Sequence, residues 1–545
     1  MKKSIYILSI VLSATLFSCN DLDVVPIGQI SDGNFPKSDA DAIAVTSAVY
    51  QPNVGISTAL GYLIDLTSEL ETNGENPNSA GALLATMDWY PDNGYVASVW
   101  NALYNTITRA NDVVDKIGPS EIVTPTLKTR LLGEAKFLRA YAYFYLVQLW
   151  GEVPLVLHNI DGDKVPRTAI NDVYAQIVSD LKDAADGLPV YTDYAAADRG
   201  RASKGAALGY LSKVYLVWGQ TDNSADVATR KERFTESVRY ADLVTGYSLE
   251  ETFLDNWNNN NRNGKEVLFS VQHLQGQVSG TSGGNHLVHC SFYGGFSNVT
   301  DPHVFSTSNY ERDLTQEKPP IIPSTIVNKW HNDFDDRDQR KNGTYLKEYR
   351  NPDGNHPDSV FVFNQVRYRK YIDTTHINTT AATIDVNRTV IRYAEVLLLK
   401  AEAINERDGT PNAEAYEAIN QVRRRAFRQP LGSASALADI PAGLDYNSFK
   451  ARIQQERVFE LTYEQNRWTD LVRWRIYVQT LKESVSKGYV AEELGKQNVQ
   501  KHYYRFPIPK AERDIDPIRL WQNYGYDGST VTENPYRNYE PGWTD

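Results

Sequence analysis

What most constrains this chain is the repeated return of apolar residues at helical spacing. Between Val96 and Ile117 the residues Val99, Leu103, Ile107, Ala110, Val113 and Val114 fall near one face of a helix, and Gly118-Pro119 ends the run. Runs of the same character follow at Leu127 to Trp150, Ala169 to Leu188, Ser203 to Trp218 and Arg230 to Thr245. A helix with one apolar face must bury it, and short turns make consecutive helices neighbours. The pattern predicts a mainly α fold of helical hairpins stacked in the manner of tetratricopeptide units, although their consensus does not repeat cleanly.

The character changes near Glu250. Asp255 to Gly264 is a polar, Asn-rich loop, Lys265 to Gln272 reads as a strand, and Gly, Asn, Ser and aromatic residues then dominate up to Asn387. A second strand is expected within Ser359 to Tyr371. This stretch reads as an irregular, loop-rich insertion. Helices resume with Thr389 to Glu406, Asn412 to Phe427 and Tyr446 to Val478.

The N-terminus reads differently. Lys2 and Lys3 precede an apolar run from Ile5 to Phe17, too short for the roughly 20 residues that a membrane span needs, so it is read as a cleaved export signal. Leu16-Phe-Ser-Cys19 resembles the bacterial lipobox, in which the cysteine is acylated and becomes the new N-terminus, with Phe17 and Ser18 where smaller residues are commoner. The expected organisation is a lipoprotein signal over 1–18, a lipid anchor and tether over 19–30, a first scaffold part over 31–249, the insertion over 250–387, and a second scaffold part with a closing segment over 388–545. Apart from Cys19 the chain has one cysteine, Cys290, so lipidation leaves no disulfide to form, and the core must carry stability alone. With 545 residues and 41% apolar content it can. The formal charge of −12, more negative still once Lys2 and Lys3 leave, argues against nucleic acid or anionic headgroups as partners. Attachment to the membrane is expected through the lipid alone.

Several segments together resemble the SusD/RagB family of outer-membrane nutrient-binding lipoproteins. Glu134-Ala-Lys-Phe-Leu-Arg-Ala140 with Trp150-Gly-Glu-Val-Pro-Leu155 is similar to the family's first long helix and the turn after it. Arg392 to Ala403, Ile419 to Ala426, Glu456 to Leu461 and Glu464 to Trp474 resemble recurring helices, and Phe506-Pro-Ile-Pro509 with Gln522-Asn-Tyr-Gly-Tyr526 the closing segment. The resemblance implies a tetratricopeptide-rich SusD-like scaffold whose insertion carries much of the ligand site. It also implies a SusC-like TonB-dependent barrel as partner, with the lipoprotein as its lid, and a location in the outer membrane facing the cell exterior. The acidic Asp21-Leu-Asp23 then belongs to the export signal.

Chemistry has no visible anchor. Glu456, Glu460 and Glu464 recur every four residues beside Arg457, Arg467 and Arg473. Two carboxylates can hydrolyse a glycoside, but carboxylates interleaved with arginines stay ionised, and Glu464 is three residues from Arg467 as in a helical ion pair. These residues are read as scaffold. His286-Leu-Val-His289-Cys290 lacks a fourth ligand, and in an extended segment its two histidines face opposite ways, so no metal is expected. Gly200-Arg-Ala-Ser-Lys-Gly205 lacks the phosphate-loop spacing and no Gly-x-Ser-x-Gly elbow exists. Neither catalysis nor a cofactor is expected.

The 34 Tyr and 10 Trp are more informative, because a flat ring with a polar rim suits the faces of sugars. Trp100, Tyr104, Tyr141, Tyr145, Trp468 and Trp474 lie on helical patterns and are assigned to the core. Trp89 and Tyr90, Tyr293 and Phe296 after Phe292, and Trp330 near Asn332 lie in loops, where binding residues concentrate. Glu69, Asn73 and Asn285 are expected to add hydrogen bonds to ring hydroxyls. The leading expectation is capture of an oligosaccharide or polysaccharide fragment for delivery to the transporter. Peptide binding on the same fold, a surface glycoside hydrolase and a purely structural or adhesive role remain as alternatives.

Overall fold

A computed structural model describes residues 35–72, 79–159, 165–273, 325–326, 328–350, 360–371, 386–488, 490 and 495–536. Cys19 and its tether, Asn73, Asn285, His286, His289, Cys290, Phe292, Tyr293 and Phe296 lie outside the described residues.

The expected helices form, each with a local reason for its ends. Gly94–Ile117 starts where the Asn93 side chain accepts from the amides of Tyr95 and Val96. Pro125–Trp150 begins on a proline at its first position, and its last four turns or so are buried on every side, from Phe137 to Trp150. It is the central rod of the molecule. Ile170–Gly187, Lys204–Thr221 capped by Ser203, and Val227–Asp242 capped by Asp226 follow, each packed on the helix before it. Tyr393–Asp408 then packs on Val227–Asp242, so the array of neighbouring helices continues across the insertion, with Ala413–Ala426 and Tyr446–Leu461 against it. Arg139, from the Glu134 to Ala140 motif, ties three elements together: it donates to both Asp180 oxygens at 2.8 and 2.7 Å and to Asn111 at 2.9 Å.

Two expected helices are corrected. Thr389 to Arg392 is not helical but forms the strand Arg388–Arg392, antiparallel to Val267–Val271. All five residues of each strand are buried, and a short apolar run with no exposed face carries no period to distinguish strand from helix. Tyr446 to Val478 is three helices, Tyr446–Leu461, Arg467–Arg473 and Tyr477–Ser486. The breaks fall where Tyr463, Gln465 and Arg475 take left-handed backbone with φ of 65°, 59° and 60°. The first helix can stop there because its freed carbonyls find partners: Lys370 Nζ donates to the carbonyls of Glu460 and Thr462, both at 2.8 Å, and Arg392 Nη2 to that of Glu460 at 2.9 Å.

Among the described residues of the insertion, helical turns alternate with short strands. Tyr345–Arg350 pairs with Val360–Tyr368, Glu71–Thr72 with Thr325–Ile326, and Val153–Pro154 with Arg167–Thr168 in the scaffold. Leu268, Phe269 and Val271 enter the same core as Phe137, Tyr141 and Tyr210, so the strand after Glu266 is part of the main body.

A buried ion network holds the insertion to the last helices. Arg340, Lys370, Arg392, Arg423 and Arg425 interlock with Glu266, Asp338, Glu456, Glu460 and Glu464, five cations against five anions. Glu460 alone meets three guanidiniums, those of Arg340, Arg392 and Arg425. Burial by itself would raise the Glu460 and Glu464 carboxyls, but the neighbouring cations outweigh it and hold both below the usual carboxylate range. A neutral sum is what makes such a cluster tolerable in the interior, where an unpaired charge is expensive.

Candidate functional site

Of the sequence-predicted ligand residues, Glu69 and Trp330 come together at one corner of the described structure. Chain leaving the π-helical turn Tyr62–Leu66 passes through Glu69 into the strand Glu71–Thr72, which pairs with Thr325–Ile326, Glu71 opposite Ile326. Two residues beyond Ile326 the helical turn Asn328–Asp333 begins and carries Trp330. The short ribbon thereby sets Glu69 and Trp330 on the same side of the fold, and Arg467 connects them. Its Nε and Nη2 donate to Glu69 Oε1 at 2.9 and 2.5 Å, and its guanidinium lies 5.8 Å from the centre of the Trp330 ring. Trp330 is half-buried, its orientation set from behind by a cation that is itself fixed.

Two expected ligand contacts are corrected. Glu69 is only 2% exposed, and with Oε1 on Arg467 and Oε2 buried it positions the corner instead of meeting a ligand. Trp89 is 5% exposed, donates its Nε1–H to the Leu84 carbonyl at 3.0 Å and stacks on Phe506 at 4.2 Å and 5°. Its loop is the lid of the core, closed by the Phe506-Pro-Ile-Pro509 segment. Tyr90 beside it stays half-buried, with its carbonyl accepting from the Asn93 amide.

Arg467 was assigned to Glu464, three residues away, but the left-handed residues between them turn Glu464 towards Arg392 and Lys370 and Arg467 towards Glu69. Sequence spacing carries no signal for that exchange. It also carries none for the polar layer beneath the corner. Asp65 is buried with both carboxylate oxygens unpartnered, and burial pushes its carboxyl up to about 7. Burial, aided by the charge of Asp65, raises Glu71 as well. Lys496 donates to the Leu66 carbonyl, and burial pushes its ammonium down to about 7 against the pull of Glu71 and Glu69. Nearby in the fold the rings of Tyr345, Tyr368 and Tyr463 are stacked, at 5.8 Å for the first pair and 4.1 Å for the second, with His331, of the same helical turn as Trp330, edge-on to Tyr345.

Trp330 is thus a partly exposed ring that packs against the core beside a fixed guanidinium. The Glu456, Glu460 and Glu464 row is locked in guanidinium and ammonium contacts, and Glu69 in its pair with Arg467. Among the described residues no group of three or more His, Cys, Asp or Glu is placed to hold a metal ion, and no helix is long and apolar enough to cross a membrane.

Residues 249–526 match the model of the SusD family, and residues 44–216 match a second family described as starch-binding and associating with the outer membrane. SusD-like protein P25 of Formosa agariphila is 27% identical over 574 aligned positions, covering 98% of this chain and all of that protein. Starch-binding protein SusD of Bacteroides thetaiotaomicron is 22% identical across 95% of this chain and 97% of its own. The crystal structure of a SusD homologue from Bacteroides thetaiotaomicron superposes with a TM-score of 0.73 at 25% identity, over 90% of this chain and 98% of that one.

Proposed function

Because the chain belongs to the SusD family, whose model spans about half of it, we propose that it captures an oligosaccharide or polysaccharide fragment at the cell surface and delivers it to a SusC-like TonB-dependent transporter without cleaving it. The observation that carries the reading is Trp330, a half-buried ring held over the Arg467 and Glu69 ion pair. Such a ring is an apolar platform whose conformational entropy is already spent, so the C–H face of a sugar gains contact at little ordering cost. Support comes from the relative whose name records starch binding and from the family described as starch-binding at the outer membrane. Attachment through an acylated Cys19, outward orientation and the contributions of Asn73, Asn285, Tyr293 and Phe296 belong to the same proposal.

Titration calorimetry of the full chain against a glycan panel tests it. At least one oligosaccharide should bind with little salt dependence, and Trp330→Ala should weaken it by about 2 kcal/mol, roughly 30-fold. Firm, salt-weakened binding of basic peptides with no glycan bound would replace the substrate class. New reducing ends during incubation would replace binding with hydrolysis. Recovery of the protein from solubilised outer membranes with no TonB-dependent barrel would remove the delivery step.

A further inference from the structure

A second concavity lies on the scaffold and shares no residue with the Trp330 corner. It opens between the end of the helix Asp39–Ala48, the helix Pro125–Trp150, the turn after Ala196–Asp198 and the strand Val267–Val271, and holds about 230 Å³. At about 30 Å³ per water that is room for roughly seven or eight waters, or for one six-membered ring with its hydroxyls.

The charge in its wall is already neutralised. Arg201 donates to Asp198 at 2.7 Å, to Glu134 at 2.9 Å and to Ser47 Oγ at 2.8 Å. The Tyr50 hydroxyl donates to Glu134 at 2.8 Å and accepts from the Ala202 amide at 3.1 Å, so Tyr50 turns its ring, not its oxygen, to the space. That ring stands 6.4 Å from Phe269 at 49°, and the two form an apolar wedge. Gln272 is fixed at the side of the space: its Oε1 accepts from Asn387 at 2.9 Å and from Asn263 at 3.0 Å. Gly200 permits this, because a Cβ there would lie 2.6 Å from the Gln272 amide carbon.

One polar atom beside the space is unspent. Asn53 lines it and is 2% exposed, and its Nδ2 donates to Thr106 Oγ1 at 3.3 Å, while its Oδ1 is buried without a partner. A hydroxyl entering the space would supply that donor once the Asn53 amide turns towards it.

We propose that this pocket is a second binding site, taking a single uncharged hydroxylated ring such as a terminal sugar residue. A neutral ligand follows from the neutralised wall, a hydroxyl donor from Asn53, and the ring from the wedge and the volume. The choice of sugar among neutral polyols rests on the glycan-binding reading above.

The test uses the full chain and neutral monosaccharides, with glucuronate as a charged comparison, read by ligand-observed nuclear magnetic resonance beside oligosaccharide calorimetry. At least one neutral monosaccharide should bind at millimolar concentration, more tightly than glucuronate. Val54→Phe, at a half-buried position lining the space, should weaken that binding by roughly tenfold or more while oligosaccharide binding at the corner persists. Retained oligosaccharide binding also shows that this variant folds. Trp330→Ala should do the reverse. The pocket is refuted if no neutral monosaccharide binds although an oligosaccharide does, if Trp330→Ala removes both, if Val54→Phe leaves monosaccharide binding intact, or if glucuronate binds best. Monosaccharide binding lost only in Val54→Phe, with no oligosaccharide bound by any variant, would uphold the pocket and overturn the corner.

Discussion

Replacing Glu460 by Gln keeps shape and burial but removes one negative charge from the five-against-five network, leaving Arg340, Arg392 and Arg425 sharing an excess cation where none of them is exposed. Removing one partner of a buried pair costs about 3–5 kcal/mol, because the remaining charge has lost its compensation and has no water to replace it. Unfolding entropy of about 2.1 cal/mol/K per residue over roughly 500 residues gives about 1 kcal/mol per degree near the midpoint, so the melting temperature should fall by about 3–5 °C. Scanning calorimetry measures it. The comparison is Glu483→Gln, whose pair with Lys487 at 2.6 Å is about half exposed and is worth less than about 1 kcal/mol. Adding Arg425→Gln to Glu460→Gln restores neutrality, so the double variant should be more stable than the sum of the two single losses predicts. Equal shifts for Glu460→Gln and Glu483→Gln, or strict additivity in the double variant, would refute the argument that charge balance holds the insertion in place.

The layer beneath the corner should make stability depend on pH with a minimum near neutrality. The Asp65 carboxyl rises from 3.8 to about 7 on folding, so the folded state binds more protons between those values and stability is lost as pH climbs through them. The Lys496 ammonium falls from 10.5 to about 7, so above 7 the unfolded state binds more protons and stability recovers. Asp65→Asn should therefore match the parent near pH 4 and exceed it at pH 8 in denaturant unfolding, and an unchanged profile would contradict burial as the cause. Cys19→Ala should release the protein from the membrane fraction into solution with glycan affinity unaltered; retention in the membrane would mean another anchor.

Helices with one wet face were legible because their periodicity records the boundary between core and solvent, as Gly94–Ile117 and Ile170–Gly187 show. Legibility ended where that boundary vanishes. Thr389 to Arg392 is buried on both faces, and the Glu456, Glu460 and Glu464 row, rightly read as scaffold, is interior with partners that its spacing does not name. At the corner, Trp330 sits in the helical turn Asn328–Asp333 where a loop was expected, and Trp89 was misplaced because the ring that covers it, Phe506, comes from the closing segment. The partner of Arg467 was misassigned for a related reason: it is chosen by two left-handed residues whose side chains, Tyr463 and Gln465, give no hint of that backbone.

Glu69 and Arg467 are 398 positions apart, and the same distant stretch supplies Gln465 to the Ser57 carbonyl, Tyr477 to that of Thr67 and Lys496 to that of Leu66. The start of the chain is thus clasped by its end. In a polypeptide made from the N-terminus onward, the residues around Glu69 wait for these partners until the last hundred or so have arrived. The corner that would hold a ligand is then the final piece to assemble. Removing everything after Leu461 would take away Gln465, Arg467, Tyr477 and Lys496 together, and with them all of these ties to the residues around Glu69.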